Sequence, residues 1–243
     1  MTEHFEISSK AHTIHALFET DITWLSSQIK ARQKELGKGL SINAYIIYLL
    51  AQELNNNKQM VTFRHGKRKM IIFDEIDIFT VVERRLKNGS SVPLGTIIRN
   101  AAAKNFLEIN DLLRHYQKAA PEDIPGVNER RQLLRYPGFI RRWFFRRIDK
   151  NPFLFKKYCG TAAVSSLSID MGTRAWWGIP ISASPVCIMP SGFYKKVVME
   201  NGVPVEKKFM SMTASLNHDI IDGGPAKRFI NEFIRKFESA YGL

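Results

Sequence analysis

Asn201-Gly202 sits between two alternating extended stretches, residues 197–199 and 203–206, and so reads as the two-residue turn of a β-hairpin. A hairpin is antiparallel by construction. Residues 208–216 carry the alternation on, and residues 222–241 then form an amphipathic helix with Ala226, Phe229, Ile230, Phe233, Ile234 and Phe237 on one face. A strand, hairpin, strand and helix at the end of a chain whose earlier part mixes helices and strands favour a mixed sheet over a purely parallel one.

The earlier part supplies the other elements. Residues 14–22 alternate and favour a strand. Thr23 can cap a helix over 24–36, which Gly37 and Gly39 stop. Ser41 opens a strongly apolar helix over 42–54, with Tyr45, Ile46, Leu49 and Leu50 at core spacing. Short strands are predicted at 60–63, 70–73 and 76–82, a loop at 87–91, an extended apolar stretch at 92–98 and a helix at 104–119. Two further strands are predicted at 161–169 and 185–189. With no internal repeat and no low-complexity linker, the chain reads as one domain over 1–243, interrupted by a basic aromatic insertion at 121–158. The fold class is α/β in the broad sense, an α+β two-layer sandwich with a mixed β-sheet packed by helices.

Hydrophobic residues at 44% and charged residues at 24% can bury a real core, which excludes disordered, collagen-like and disulfide-scaffold classes. No apolar run reaches the ~20 residues that cross a bilayer. Met1 to Glu6 lacks the basic start and apolar stretch of a secretion signal. Cys159 and Cys187 make no disulfide framework, and no Cys/His cluster has zinc spacing. Two buried thiols in a reducing cytoplasm, and no metal, are the expectation.

The net charge of +13 favours anionic partners. Its placement is uneven. Residues 127–157 hold ten basic residues against two acids, and so carry +8 of the +13. Drawn as a helix from Phe139, this segment gathers Phe139, Ile140, Trp143, Phe144 and Ile148 on one broad face, with Arg147 inside it and Phe145 outside. Three readings stand. Its aromatics pack on the core beneath a solvated basic face, or it docks an acidic membrane or a lipid substrate through Arg141, Arg142, Arg146 and Arg147, or it is a lid whose cations attract phosphates. Nucleic acid is disfavoured, because no recognition motif accompanies the charge.

Phosphate-loop, dinucleotide and nucleophile-elbow patterns are absent. The stretch Ser215 to Gly224 (SLNHDIIDGG) holds the chemistry. His218 leaves a strand directly, and Asp222-Gly223-Gly224 is a tight turn able to cap the last helix. A histidine held there can point into a cleft as a general base, or it can be a plain surface or cap residue.

His-x-x-x-Asp-Gly, between a strand and an amphipathic helix containing Arg228-Phe229-Ile230-Asn231, resembles the chloramphenicol acetyltransferases. It equally resembles the catalytic domain of the dihydrolipoyl acyltransferase subunits of 2-oxo acid dehydrogenase complexes, which share that fold. Residues 17–23 (LFETDIT), 40–54, 92–94 (VPL) with 98–101 (IRNA), 104–109 and 160–167 (GTAAVSSL) are similar to successive segments of the dehydrogenase branch. The likeness covers nearly the whole chain except residues 121–158.

The resemblance implies a chloramphenicol acetyltransferase-like fold and an acyltransferase. It implies acyl-CoA as co-substrate, His218 as general base and Ser165 as the hydroxyl that stabilises the oxyanion. Asp222 would hold the histidine loop. It further implies a homotrimer in which His218 and Ser165 come from neighbouring chains, acting on a small-molecule or lipid acceptor. Ser165 also has a plain reading as a hydrogen-bonded spacer, and a register one residue off would turn Ser166 to the opposite face. The region of Trp176-Trp177 and the insertion are expected to shape the acceptor pocket.

The chain departs from the dehydrogenase pattern at Asn217, Asp219 and Ser168, which stand where that branch has Asp, Arg and Gly. It shows no lipoyl attachment segment. A stand-alone cytoplasmic enzyme, peripheral at the membrane through its basic segment, is the leading expectation. The alternatives are a non-catalytic trimeric scaffold that docks a partner or acidic membrane, and the acyltransferase core of a split dehydrogenase complex.

Overall fold

A computed structural model describes residues 11–243 except Lys67, residues 86–88, Ser90, Pro121, Glu122, Leu134, Ser168 and Met171. Ser168 and most of the 87–91 loop thus lie outside the described residues. The chain opens with β1 (Thr13–Asp21), α1 (Thr23–Leu36) and α2 (Ile42–Asn56). A small hairpin follows, β2 (Phe63–His65) with β3 (Lys69–Ile71), then β4 (Ile78–Arg85), β5 (Ser91–Ile98) and α3 (Phe106–Lys118). The basic segment contains α4 (Val127–Leu133), α5 (Gly138–Lys150) and α6 (Pro152–Cys159). The chain ends with β6 (Ala162–Val164), β7 (Ile169–Asp170), β8 (Val186–Glu200), β9 (Val203–Asn217) and α7 (Gly223–Glu238).

The main sheet runs β1-β9-β8-β6-β4-β5, with short β7 also pairing β8. It is mixed. β6 runs parallel to β4 and β8, while β1–β9, β8–β9 and β4–β5 are antiparallel. Asn201 (φ 51°) and Gly202 (φ 82°) both take left-handed backbone, as the expected hairpin turn requires. The strands it joins are longer than the pattern predicts. Residues 185–189 and 197–199 are one strand, β8, paired with β9 from Val186↔Leu216 to Glu200↔Val203. Pro190-Ser191-Gly192 reads as a break because Pro donates no ladder bond, but a register shift there absorbs Ser191 as a bulge. The predicted strand at 161–169 is correspondingly shorter, ending at Val164. Of the strand predicted at 60–63, Met60 and Val61 instead close a 3-10 turn, Lys58–Val61, too short to show a period, and Phe63 opens β2.

α2 and α7 bury the sheet's inner face. α2 is apolar almost all round because it is enclosed, with only Glu53 charged among its buried side chains. The Tyr45 ring sits 5.7 Å from both Phe106 of α3 and Phe237 of α7, and its hydroxyl donates to the Tyr241 carbonyl at 3.0 Å. Each such buried aromatic stabilises the fold by roughly 1.5–3 kcal/mol. Gly160 (φ 75°) leads into β6 so close to β4 that a Cβ would lie 2.6 Å from the Asp77 carbonyl oxygen, so only glycine fits.

The basic segment builds a second, smaller cluster. Ile148 and Phe155 bury against Phe63, with Phe73, Phe144 and Phe145 partly buried around them. This corrects the face drawn from the sequence. The inner side centres on Ile148 and its i−3 and i−4 neighbours Phe145 and Phe144, while Phe139 and Trp143 are 67% and 60% exposed and Arg147 is exposed with them. No helix among the described residues is long and apolar enough to cross a membrane.

Candidate active site

His218 lies at the end of β9, in the turn that leads to α7. The turn is pinned from several sides. The Asn217 amide donates to the Pro185 carbonyl at 2.9 Å and the His218 amide to that of His12 at 2.7 Å. The Asn217 side chain accepts from the Asp219 amide at 2.9 Å, and Ile221 is buried. An asparagine at 217 thus serves as the local turn former.

The imidazole itself is exposed, and its Nδ1 lies 2.8 Å from the main-chain oxygen of Ile221. A carbonyl can only accept, so Nδ1 carries the proton and the neutral ring keeps its lone pair on Nε2. That is the state a general base needs. Beside it, the Asp219 carboxyl is held below the usual range by a hydrogen bond from His12, 2.7 Å away. Asp222 is the residue before the first turn of α7, and its carbonyl accepts from Ala226 at 3.1 Å, but its carboxylate makes no capping bond.

Ser165 follows the last residue of β6 and is half-buried, its amide donating to the Ile188 carbonyl at 3.1 Å. The ladders fix how far it lies from His218. Val164 pairs with Ile188 and Ile188 with Ala214, so Ser165 is one row past this line and His218 four rows before it. Five rows and two strands correspond to roughly 19 Å. One chain therefore holds the two residues well apart, His218 just before the start of β8 and Ser165 level with the fourth residue of that strand, two strands away.

The loop with the tryptophans straps the sheet's outer face. Trp177 Nε1 donates to the Phe18 carbonyl at 3.1 Å, Ser211 Oγ to the Trp176 carbonyl, and the Gly178 amide to Ser191 Oγ at 2.9 Å. Ala183 of this loop packs on the cluster of the basic segment, so the two regions expected to shape a pocket do meet. An apolar cavity of about 310 Å³ lies between β1 and the start of α7, lined by Ile14, Ala16, Leu216, Ala226 and Ile230 with Lys227. Neither His218 nor Ser165 lines it. Sequence reasoning missed His15, whose Nδ1 lies 2.8 Å from Ser215 Oγ. Its only signal was its place on an alternating strand. Cys187 is buried, which pushes its thiol up to about 12, whereas Cys159 is only half-buried. Among the described residues no group of three His, Cys, Asp or Glu could hold a metal ion.

No family model and no curated protein matches the chain. Solved structures do. A probable dihydrolipoamide acetyltransferase of Listeria monocytogenes is 19% identical with a TM-score of 0.67, over 98% of this chain and 89% of that one. The dihydrolipoamide acetyltransferase of Azotobacter vinelandii is 16% identical with a TM-score of 0.68, over 98% and 86%. A chloramphenicol acetyltransferase is 14% identical with a TM-score of 0.52, over 99% and 94%. These likenesses establish the fold as chloramphenicol acetyltransferase-like, as the sequence resemblance implies.

Proposed function

We propose that the chain is an acyl-CoA-dependent acyltransferase whose site is completed by a second copy of itself, with His218 as general base and Ser165 as oxyanion donor. The observation that carries this reading is the bond from His218 Nδ1 to the Ile221 carbonyl, which leaves Nε2 free on an exposed ring held by a rigid turn. The wide separation of Ser165 and His218 within one chain supports a site between copies, in a homotrimer. The similar Azotobacter enzyme was investigated for a serine, a histidine and an asparagine four residues after it in its mechanism. The same spacing here gives Asp222.

In the proposed reaction Nε2 takes the proton of a hydroxyl, amine or thiol acceptor as that group attacks the thioester carbonyl. The carbonyl oxygen becomes an oxyanion, and the Ser165 hydroxyl donates to it. Such a donor contributes roughly 3–4 kcal/mol to the transition state. Collapse expels the CoA thiolate, which recovers the proton from the imidazolium. Asp222 acts through the backbone of the histidine loop, since its carbonyl takes the first helical bond of α7.

The test is thiol release from short- to long-chain acyl-CoAs with alcohol, amine and dithiol acceptors, wild type beside His218→Ala. Acceptor- and His218-dependent release supports the enzyme, and a preference for free dihydrolipoamide points to a split dehydrogenase core. Absence of both release and CoA binding favours the trimeric scaffold, the reading that the altered neighbours Asn217 and Asp219 suggest.

A further inference from the structure

α5 is about 20 Å long and amphipathic in an unusual way. Its inner side, Phe144, Phe145 and Ile148, closes the small aromatic cluster. Its outer stripe is Phe139, Arg142, Trp143, Arg146, Arg147 and Lys150, all exposed and all at helical spacings of three and four. Arg141, named with the other arginines in the sequence reading, is half-buried and off this stripe. Tyr136, at 54%, and Phe153, at 58%, extend the exposed aromatics at either end.

A solvated basic face accounts for the four cations but not for Phe139 and Trp143 standing 67% and 60% in water. The Arg147 guanidinium lies 5.7 Å from the Trp143 ring centre, so charge and ring form one surface. Single-stranded nucleic acid is bound by a groove that tracks its backbone, and this stripe is the convex flank of one helix. The headgroup boundary of an anionic bilayer suits both components. Aromatic rings settle at that depth, and arginine and lysine pair the lipid phosphates there. The charge is complementary as well, because residues 127–157 carry +8 of the chain's +13.

We propose that the outer stripe of α5 docks the protein on an anionic phospholipid surface, with Phe139 and Trp143 entering the headgroup boundary and Arg142, Arg146, Arg147 and Lys150 on the lipid phosphates. The full chain is pelleted with vesicles of phosphatidylcholine alone and of phosphatidylcholine with phosphatidylglycerol, without acyl-CoA. The outcome is therefore independent of the acyltransferase reading. Binding is expected only to the anionic vesicles, weakening with salt. Arg142→Glu/Arg146→Glu/Arg147→Glu is expected to lose about a hundred-fold or more in partitioning. Phe139→Ala/Trp143→Ala is expected to lose about ten-fold or more. Both variants alter only exposed side chains, and each is compared with wild type at equal helix content and oligomeric state. As an unmutated control, vesicles should shift wild-type tryptophan emission to the blue, and Trp143→Phe should lose that shift. The proposal is overturned if wild type ignores anionic vesicles, or if both variants bind as wild type does. It is also overturned if the stripe substitutions change only oligomeric state, which would make it a contact between copies, or if a single-stranded oligonucleotide binds and vesicles do not.

Discussion

Arg99 Nη1 donates to the buried Asp77 carboxylate at 2.7 Å and, from the same side chain, reaches the Lys156 carbonyl at 2.9 Å at the end of α6. Asp77 in turn accepts from the Asn100 amide at 2.9 Å, and its carbonyl accepts from Thr161 at 2.7 Å. One arginine thus ties the basic segment to the sheet that carries Ser165. Arg99→Ala takes the nearer cation from the Asp77 carboxyl, 2% exposed, leaving it the Asn100 amide and Lys156 Nζ at 3.9 Å, and should cost about 1.5–3 kcal/mol in urea unfolding. Limited proteolysis should then cut first within the basic segment. An unchanged cleavage pattern would mean that the aromatic cluster alone holds it.

His218→Ala should lower acyl transfer by about 10²–10⁴-fold. The ring is exposed and makes one local bond, so the stability change should stay within about 1 kcal/mol. Thermal melting beside the thioester assay separates the two effects. An equal loss of stability and activity would make the histidine a structural turn residue.

Ser165 and His218 are proposed to meet only across a subunit boundary. Ser165→Ala and His218→Ala should each be nearly inactive, yet an unfolded and co-refolded equimolar mixture should recover about a quarter of wild-type activity. Each site then draws one good histidine and one good serine at random. No recovery, with both variants still oligomeric, would place the two functions in one chain or remove Ser165 from the site.

The sequence patterns that survived folding are those with a local cause. Asn201-Gly202 makes its hairpin through its own backbone preference, and the helix expected over 104–119 forms as α3, where the structure adds a reciprocal cap between Asn105 and Glu108. What misled were features whose meaning depends on partners. Pro190-Ser191-Gly192 reads as a break until β9 is alongside to absorb it as a bulge. The face of α5 cannot be drawn correctly without the β2–β3 hairpin that Ile148 packs against, and nothing local says that Arg147 turns outward. His218 was legible as a candidate from its place after a strand. Which nitrogen is free was not, because the Ile221 carbonyl reaches it only once the turn is closed.

Lys236 of α7 pairs with Glu53 of α2, which is 1% exposed and joins the two helices through the core. Burial lowers the lysine pKa, but hydrogen bonds and charge from Glu53 and Glu232 outweigh it and leave it raised above 10.5. The native state therefore holds this proton more tightly than the unfolded chain. Its contribution is fully present below the unfolded value and is lost as pH rises through the folded one. Urea midpoints from neutral pH upward should show stability falling in the alkaline range above 10.5. Lys236→Met should reduce that fall while costing about 3 kcal/mol at neutral pH, since Glu53 is left buried and unpaired. Undiminished alkaline dependence in the variant would assign the loss to other groups.

Cys187 lies beneath the loop that straps the sheet, and its burial pushes the thiol up to about 12. Since the thiolate is the reactive form, almost none is present near neutral pH, and the strap blocks access besides. A thiol reagent added to the native protein should label Cys159 alone, with Cys187 reacting only after denaturant. Rapid labelling of both would mean that the 172–184 strap, whose Ser182 bonds the Cys187 thiol, opens readily.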